Sequence, residues 1–119
     1  MIRGLDHAQL AAPPGCESAA RAFFGAGLGL VEIAKPPELE RRGGVWFALT
    51  EGHELHVGVE CDFVPQEKAH VALSIDGPED LAALAARFGA SIDRVTIPGA
   101  SRFYAPDPWG NRLEFIYRG

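Results

Sequence analysis

The chain repeats one pattern of elements, and this repeat limits its fold more than any other feature. Each copy opens with a short apolar run, at residues 5–12 and 69–75, continues with helical spacing and closes with three short runs. Apolar residues at i, i+3 and i+4 predict an amphipathic helix, whereas alternation with a period of two predicts a strand. The sequence therefore predicts an α+β fold of two βαβββ modules.

Local signals place the two helices and the module boundaries. Ala20, Phe23 and Phe24 share one face of the first helical segment, residues 16–28. Pro78 in a first turn and Gly89 after a last turn are typical of the start and end of a helix. We predict a single domain, with module one at 1–60, a link at 61–68 and module two at 69–119. The closing strands are predicted at 30–34, 45–49, 54–59, 92–97, 102–105 and 112–117.

Charge and composition argue against several classes of protein. The 119 residues carry a formal net charge of −5 and no basic cluster, so we expect no nucleic-acid partner. The first residues lack a long apolar run, and no stretch approaches the ~18 apolar residues of a membrane span, so we expect neither a signal peptide nor a membrane partner. The two cysteines are far apart in the sequence and predict no disulfide framework, which favours the cytoplasm.

Four candidate metal ligands occupy matching places in the two copies. His7 and His70 lie in the opening runs, and His56 and Glu114 lie in the closing runs. Taken singly, each histidine has the alternative of an ordinary hydrogen-bonded role, and Glu114 that of a solvent-facing strand residue. Taken together, the repeat puts all four on one side of a sheet, where burial without a metal or hydrogen-bond partners is unfavourable. The pattern thus favours a shared metal site.

Neighbouring side chains are candidates for substrate binding and catalysis. Residues two apart in a strand share a face, which places Glu54 beside His56. Glu54 is a candidate general base, and a solvated strand-end residue is its alternative. Tyr104 is a candidate for orienting a substrate, or a packing residue. Arg102 is a candidate clamp for a carboxylate or phosphate, or a surface arginine paired with an acid. The predicted substrate-binding residues are Gln9, Trp46, Arg102, Tyr104 and Arg112.

Three segments resemble the vicinal oxygen chelate superfamily, which includes glyoxalase I, fosfomycin-resistance proteins, bleomycin-resistance proteins and extradiol dioxygenases. They are LDHAQL (5–10), KAHVAL (68–73) and FYAPDPWGNRLEF (103–115), and the resemblance covers nearly the whole chain. It implies metal ligands at His7, His70 and Glu114. The variable fourth position falls on His56, where glyoxalase I has Glu. The resemblance also implies a curled eight-stranded cup with helices on its outer face, and a homodimer.

The resemblance implies a metal-dependent enzyme acting on a small oxygen-chelating substrate. Three imidazoles and one carboxylate suit Fe, Mn, Ni, Co or Zn as a divalent ion. Such an ion acts as a Lewis acid in glyoxalase-like lyase, isomerase or transferase chemistry. The alternative is a metal-free protein that sequesters a drug or another ligand, as in bleomycin resistance.

Overall fold

The computed structural model describes residues 1–119 and divides them into two compact units. The first spans Met1–Pro65 and the second spans Gln66–Gly119. None of the helices has the length and apolar character needed to cross a membrane.

The first unit contains a four-stranded mixed sheet in the order β1-β4-β3-β2. Strand β1 pairs with β4 in parallel, whereas β3 is antiparallel to both β4 and β2. Gly44, with φ +90°, precedes β3 where a Cβ would collide with the carbonyl oxygen of Val57, so glycine is required there. The elements are β1 (His7–Ala12), α1 (Glu17–Ala20), a π-helical segment (Arg21–Gly27), β2 (Val31–Ile33), α2 (Pro37–Glu40), β3 (Val45–Ala48), a 3₁₀ turn (Thr50–Gly52) and β4 (Glu54–Val59).

The second unit contains a three-stranded mixed sheet in the order β5-β7-β6. Strand β5 pairs with β7 in parallel, and β6 is antiparallel to β7. As predicted, the helix begins with Pro78 after Gly77 and ends before Gly89, which adopts the left-handed conformation. The elements are β5 (His70–Ser74), α3 (Pro78–Phe88), β6 (Ala100–Pro106) and β7 (Arg112–Arg118).

The prediction of eight strands is wrong by one, because the segment 92–97 forms no strand. It makes one isolated bridge, between Asp93 and Arg102. The Asp93 carboxylate accepts the backbone N–H groups of Val95 (2.9 Å) and Thr96 (3.0 Å). These contacts fold the chain into a turn in place of a continued strand ladder. Seven strands are therefore present, four in the first unit and three in the second.

The predicted first helix, residues 16–28, is not a uniform α-helix. After one α-helical turn it widens into the π-helical segment, in which the Leu28 N–H donates to the Phe23 carbonyl at 2.9 Å. Gly25 and Gly27 give this stretch a permissive backbone. Ala20 and Phe24 are fully buried, so the predicted apolar face is retained.

One face of each sheet forms the apolar core of its unit. In the first unit Phe47 and Leu55 are fully buried, and the Phe24 ring lies 5.8 Å from that of Phe47. In the second, Phe88 of α3 stacks on Phe115 with ring centroids 5.6 Å apart. The alternation of a strand leaves the opposite face of each sheet for polar side chains, and the candidate site residues lie there.

Candidate functional site

The two units hold their candidate ligand pairs in the same register. On the parallel strands β1 and β4, His56 pairs with Gln9, two residues after His7. On β5 and β7, Glu114 pairs with Ala72, two residues after His70. Each pair therefore has the same offset on neighbouring parallel strands, so His7 and His70 are equivalent positions, as are His56 and Glu114.

In the second unit the side chains of His70 and Glu114 meet. The His70 Nε2 lies 2.9 Å from the Glu114 Oε1, and the His70 Nδ1 lies 3.0 Å from the Lys68 carbonyl oxygen. A carbonyl and an ionised carboxylate only accept hydrogen bonds, so a neutral imidazole, with a single N–H, satisfies one of these contacts. The other contact is satisfied by a second proton at the pair or by a cation shared by Nε2 and the carboxylate. Glu114 is buried, with a side chain 6% exposed, whereas that of His70 is 29% exposed.

The geometry of this pair fits two ligands of one ion. Neighbouring donor atoms with metal bonds of about 2.1 Å at right angles lie about 3 Å apart. The observed separation of Nε2 and Oε1 is 2.9 Å. Imidazole and carboxylate together suit the divalent ions of the first transition row.

In the first unit His56 lies between two aromatic rings. It stacks on Trp46 with centroids 3.8 Å apart and on His7 with centroids 4.3 Å apart. The His56 Nε2 lies 2.8 Å from the Glu54 Oε1. The Asp6 carboxylate contacts the His7 Nδ1 at 2.7 Å, and this hydrogen bond lowers the pKa of Asp6. His7 and His56 are thus close, and each has a carboxylate neighbour.

The other predicted residues of the first unit lie on the same sheet face. The Gln9 side chain lies so close to Gly58 that a Cβ atom at position 58 would collide with it. Trp46 faces His56, while its neighbour Phe47 faces the core. Glu54 is one-third exposed and paired with His56, so it is not merely a solvated strand end.

Arg102 and Tyr104 border the His70–Glu114 pair. An Arg102 guanidinium N–H donates to the Tyr104 hydroxyl at 2.7 Å, and the same nitrogen lies 3.4 Å from the Glu114 Oε2. Burial opposes charge on Arg102, but Tyr104, Glu114 and Asp93 outweigh it and raise the pKa of the guanidinium. Arg102 is therefore positively charged. Of the two predicted roles, pairing with an acid is the one present, although the residue is largely buried.

Two acidic residues near the site were not predicted from the sequence. Asp93 lies 3.4 Å from the Arg102 Nε, and Asp6 contacts His7. The spacing of Asp93 from Thr96 is an available signal, because Asp favours turns in which its carboxylate accepts nearby N–H groups. Asp6 carries no such signal beyond its adjacency to His7.

The structure brings the candidate ligands together in pairs, His7 with His56 and His70 with Glu114. It contains no cluster of three or more His, Cys, Asp or Glu side chains suited to a metal ion. The two pairs belong to different units.

Comparison with known proteins identifies the family. No protein-family model matches the chain, and no curated protein matches it. A crystal structure of a glyoxalase family protein from Bacillus anthracis is 42% identical, with 100% of this chain and 98% of that chain covered and a TM-score of 0.89.

Two more distant structures share the fold. A glyoxalase/dioxygenase from Nostoc punctiforme is 20% identical, with 98% and 92% coverage and a TM-score of 0.75. Lactoylglutathione lyase from Agrobacterium tumefaciens is 21% identical, with 96% and 92% coverage and a TM-score of 0.66. Because the Bacillus anthracis protein is 42% identical and 98% of its chain is covered, this chain belongs to the same family. That family is the glyoxalase/bleomycin resistance/dioxygenase family, the vicinal oxygen chelate superfamily.

Proposed function

We propose that the chain is a metal-dependent enzyme whose substrate is a small molecule with chelating oxygens. The metal ligands in this proposal are His7, His56, His70 and Glu114. The observation that carries it is the meeting of the His70 Nε2 with the Glu114 Oε1 at 2.9 Å, while the His70 Nδ1 faces a carbonyl oxygen. A cation at Nε2 satisfies both acceptors without a second proton on the ring.

The proposed ligands would hold a divalent ion, which would supply Lewis-acid chemistry towards a substrate carbonyl. Fe, Mn, Ni, Co and Zn all suit the mixed nitrogen and oxygen ligands. Lactoylglutathione lyase from Agrobacterium tumefaciens has the same fold, and glyoxalase-like lyase or isomerase chemistry is the reaction class that we propose.

The remaining residues have proposed roles in binding and proton transfer. Glu54 is the proposed general base, because its carboxylate is partly exposed and is held in place by the His56 Nε2 at 2.8 Å. Tyr104 is the proposed orienting group, fixed by the Arg102 guanidinium at 2.7 Å. Gln9 and Trp46 are proposed to line the substrate site beside His7 and His56.

The ligand assignment is tested by titrating Mn(II) and Ni(II) into the purified wild type and variants. We expect Glu114→Gln to weaken metal binding at least tenfold, because the amide oxygen is a poorer ligand than a carboxylate. His53→Ala is the matched control, since His53 is exposed in the turn before β4 and is expected to leave the affinity unchanged. Equal affinities for the wild type and Glu114→Gln would remove Glu114 from the ligand set and favour the ligand-sequestering alternative.

A further inference from the structure

Arg112 lies on the polar face of the second sheet and lacks an acidic partner, although it borders the His70–Glu114 pair. Arg102, on the same face, contacts both Asp93 and Glu114. Arg112 forms no ion pair, and its only hydrogen bond is a long contact of 3.5 Å to the Glu67 carbonyl oxygen. Its charge is thus not neutralised within the unit.

The position of the Arg112 guanidinium is nonetheless fixed. Its central carbon lies over the Tyr104 ring, 3.8 Å from the centroid, and the Arg102 guanidinium carbon lies 5.2 Å from the same centroid. Stacking on an aromatic ring holds the guanidinium plane and leaves its edge N–H groups available. A half-buried cation that is oriented in this way is prepared to receive an anion at low entropic cost.

The location of Arg112 connects this cation to the proposed metal ligands. Arg112 is the register partner of His70 on the neighbouring parallel strand, and Glu114 is two residues further along the same strand and face. The Tyr104 ring makes a T-shaped contact with the His70 ring, with centroids 5.3 Å apart. Tyr104 therefore contacts both His70 and the Arg112 guanidinium. A ligand that reaches the His70–Glu114 pair therefore has the Arg112 guanidinium beside it.

We propose that Arg112 recognises a terminal oxyanion, a carboxylate or a phosphonate, on the substrate. This inference rests on the proposed function for the identity of the rest of the substrate, and it narrows the substrate class to anionic molecules. The planar guanidinium edge matches two oxygens of either group. Arg102 is not the primary anchor, because its own charge is already shared between two carboxylates.

The test uses metal-free protein, so that its result does not depend on the metal. Propionate and methylphosphonate are titrated separately and followed by amide chemical shifts, with propionamide as the uncharged probe. We expect saturable binding of at least one anion and none of propionamide. The anion that binds more tightly assigns the terminal group as carboxylate or phosphonate.

Substitutions then locate the binding. We expect Arg112→Gln to weaken anion binding about tenfold or more, as for the loss of a charge-assisted pair. Arg112→Lys keeps the charge but loses the planar edge, so it is expected to bind more weakly than the wild type. Arg118→Gln is the matched control, an exposed arginine on the same strand and face, and is expected to bind like the wild type.

Two results overturn the inference: no saturable binding of either anion by the wild type, or wild-type affinity in both Arg112 variants. Thermal melting of each variant verifies folding, and Arg112→Lys decides the matter if Arg112→Gln does not fold. Failure of metal binding with retained Arg112-dependent anion binding would overturn the proposed function alone. Retained metal binding with Arg112-independent anion binding would overturn only this inference.

Discussion

Asp93 makes three kinds of interaction in the second unit: hydrogen bonds from nearby N–H groups, a backbone bridge to Arg102 and an ion pair with Arg102. Its carboxylate accepts the N–H groups of Val95 and Thr96, and these bonds are the main cause of a pKa lowered from 3.8 to about 2. Its backbone exchanges hydrogen bonds with Arg102 at 2.7 and 3.0 Å. Asp93 therefore ends the strand pairing at the edge of the second sheet. Its carboxylate also lies 3.4 Å from the Nε of Arg102, the arginine that contacts Glu114.

This pKa predicts a pH-dependent stability that Asp93→Asn removes. A carboxyl group whose pKa is lower in the folded state stabilises the fold above its unfolded pKa, and that contribution is lost as the pH falls towards the folded value. We expect the stability difference between wild type and Asp93→Asn to be constant above about pH 5 and to shrink between about pH 4 and 2. Denaturant midpoints across this range measure it, and a difference independent of pH would contradict the assignment.

At the scale of elements, helix α3 stabilises the second sheet through Phe88. The ring lies 5.6 Å from that of Phe115 and 6.1 Å from that of Phe103, on the apolar face of β6 and β7. We expect Phe88→Ala to lower the free energy of unfolding by about 2–3 kcal/mol, since the ring is only partly buried. Arg87→Ala, at an exposed position of the same helix, is expected to change it by less than about 0.5 kcal/mol. Equal unfolding midpoints for these two variants would show that α3 does not bury this face.

The elements differ in how far the sequence predicts them. Helix α3 was predicted with its bounds because its start and stop signals, Pro78 and Gly89, act within one turn. The segment 92–97 was predicted as a strand from its apolar residues, but the Asp93 side chain takes up N–H groups that a ladder needs. The change from α-helix to π-helix after Ala20 likewise depends on local backbone geometry, which the spacing of apolar residues does not reveal.

At the scale of the whole molecule, the repeat predicted the most about the candidate site. Equivalent places for His7 and His70 follow from the repeated pattern, and the strand registers of the two units agree with it. The stack of Trp46, His56 and His7 was not predicted, because it depends on which strands become neighbours in the sheet. Arg112 was a candidate by its spacing from Glu114, while its placement over Tyr104 requires the pairing of β6 with β7.

The homodimer implied by the family resemblance stays a prediction. Light scattering of the purified protein is expected to give twice the monomer mass. We expect Glu114→Gln to leave that mass unchanged, because Glu114 is buried within its own unit. A monomer mass for the wild type would contradict this prediction without bearing on the metal ligands.

The metal content of the protein tests the central proposal most directly. The protein is purified without a polyhistidine tag or chelator and analysed for its elements, beside His70→Ala prepared in the same way. We expect close to one divalent transition-metal ion per chain in the wild type and a large loss in the variant, because the His70 Nε2 is a proposed ligand. A wild type that contains no metal, and takes up none when Mn(II), Fe(II), Ni(II), Co(II) or Zn(II) is supplied, would contradict it.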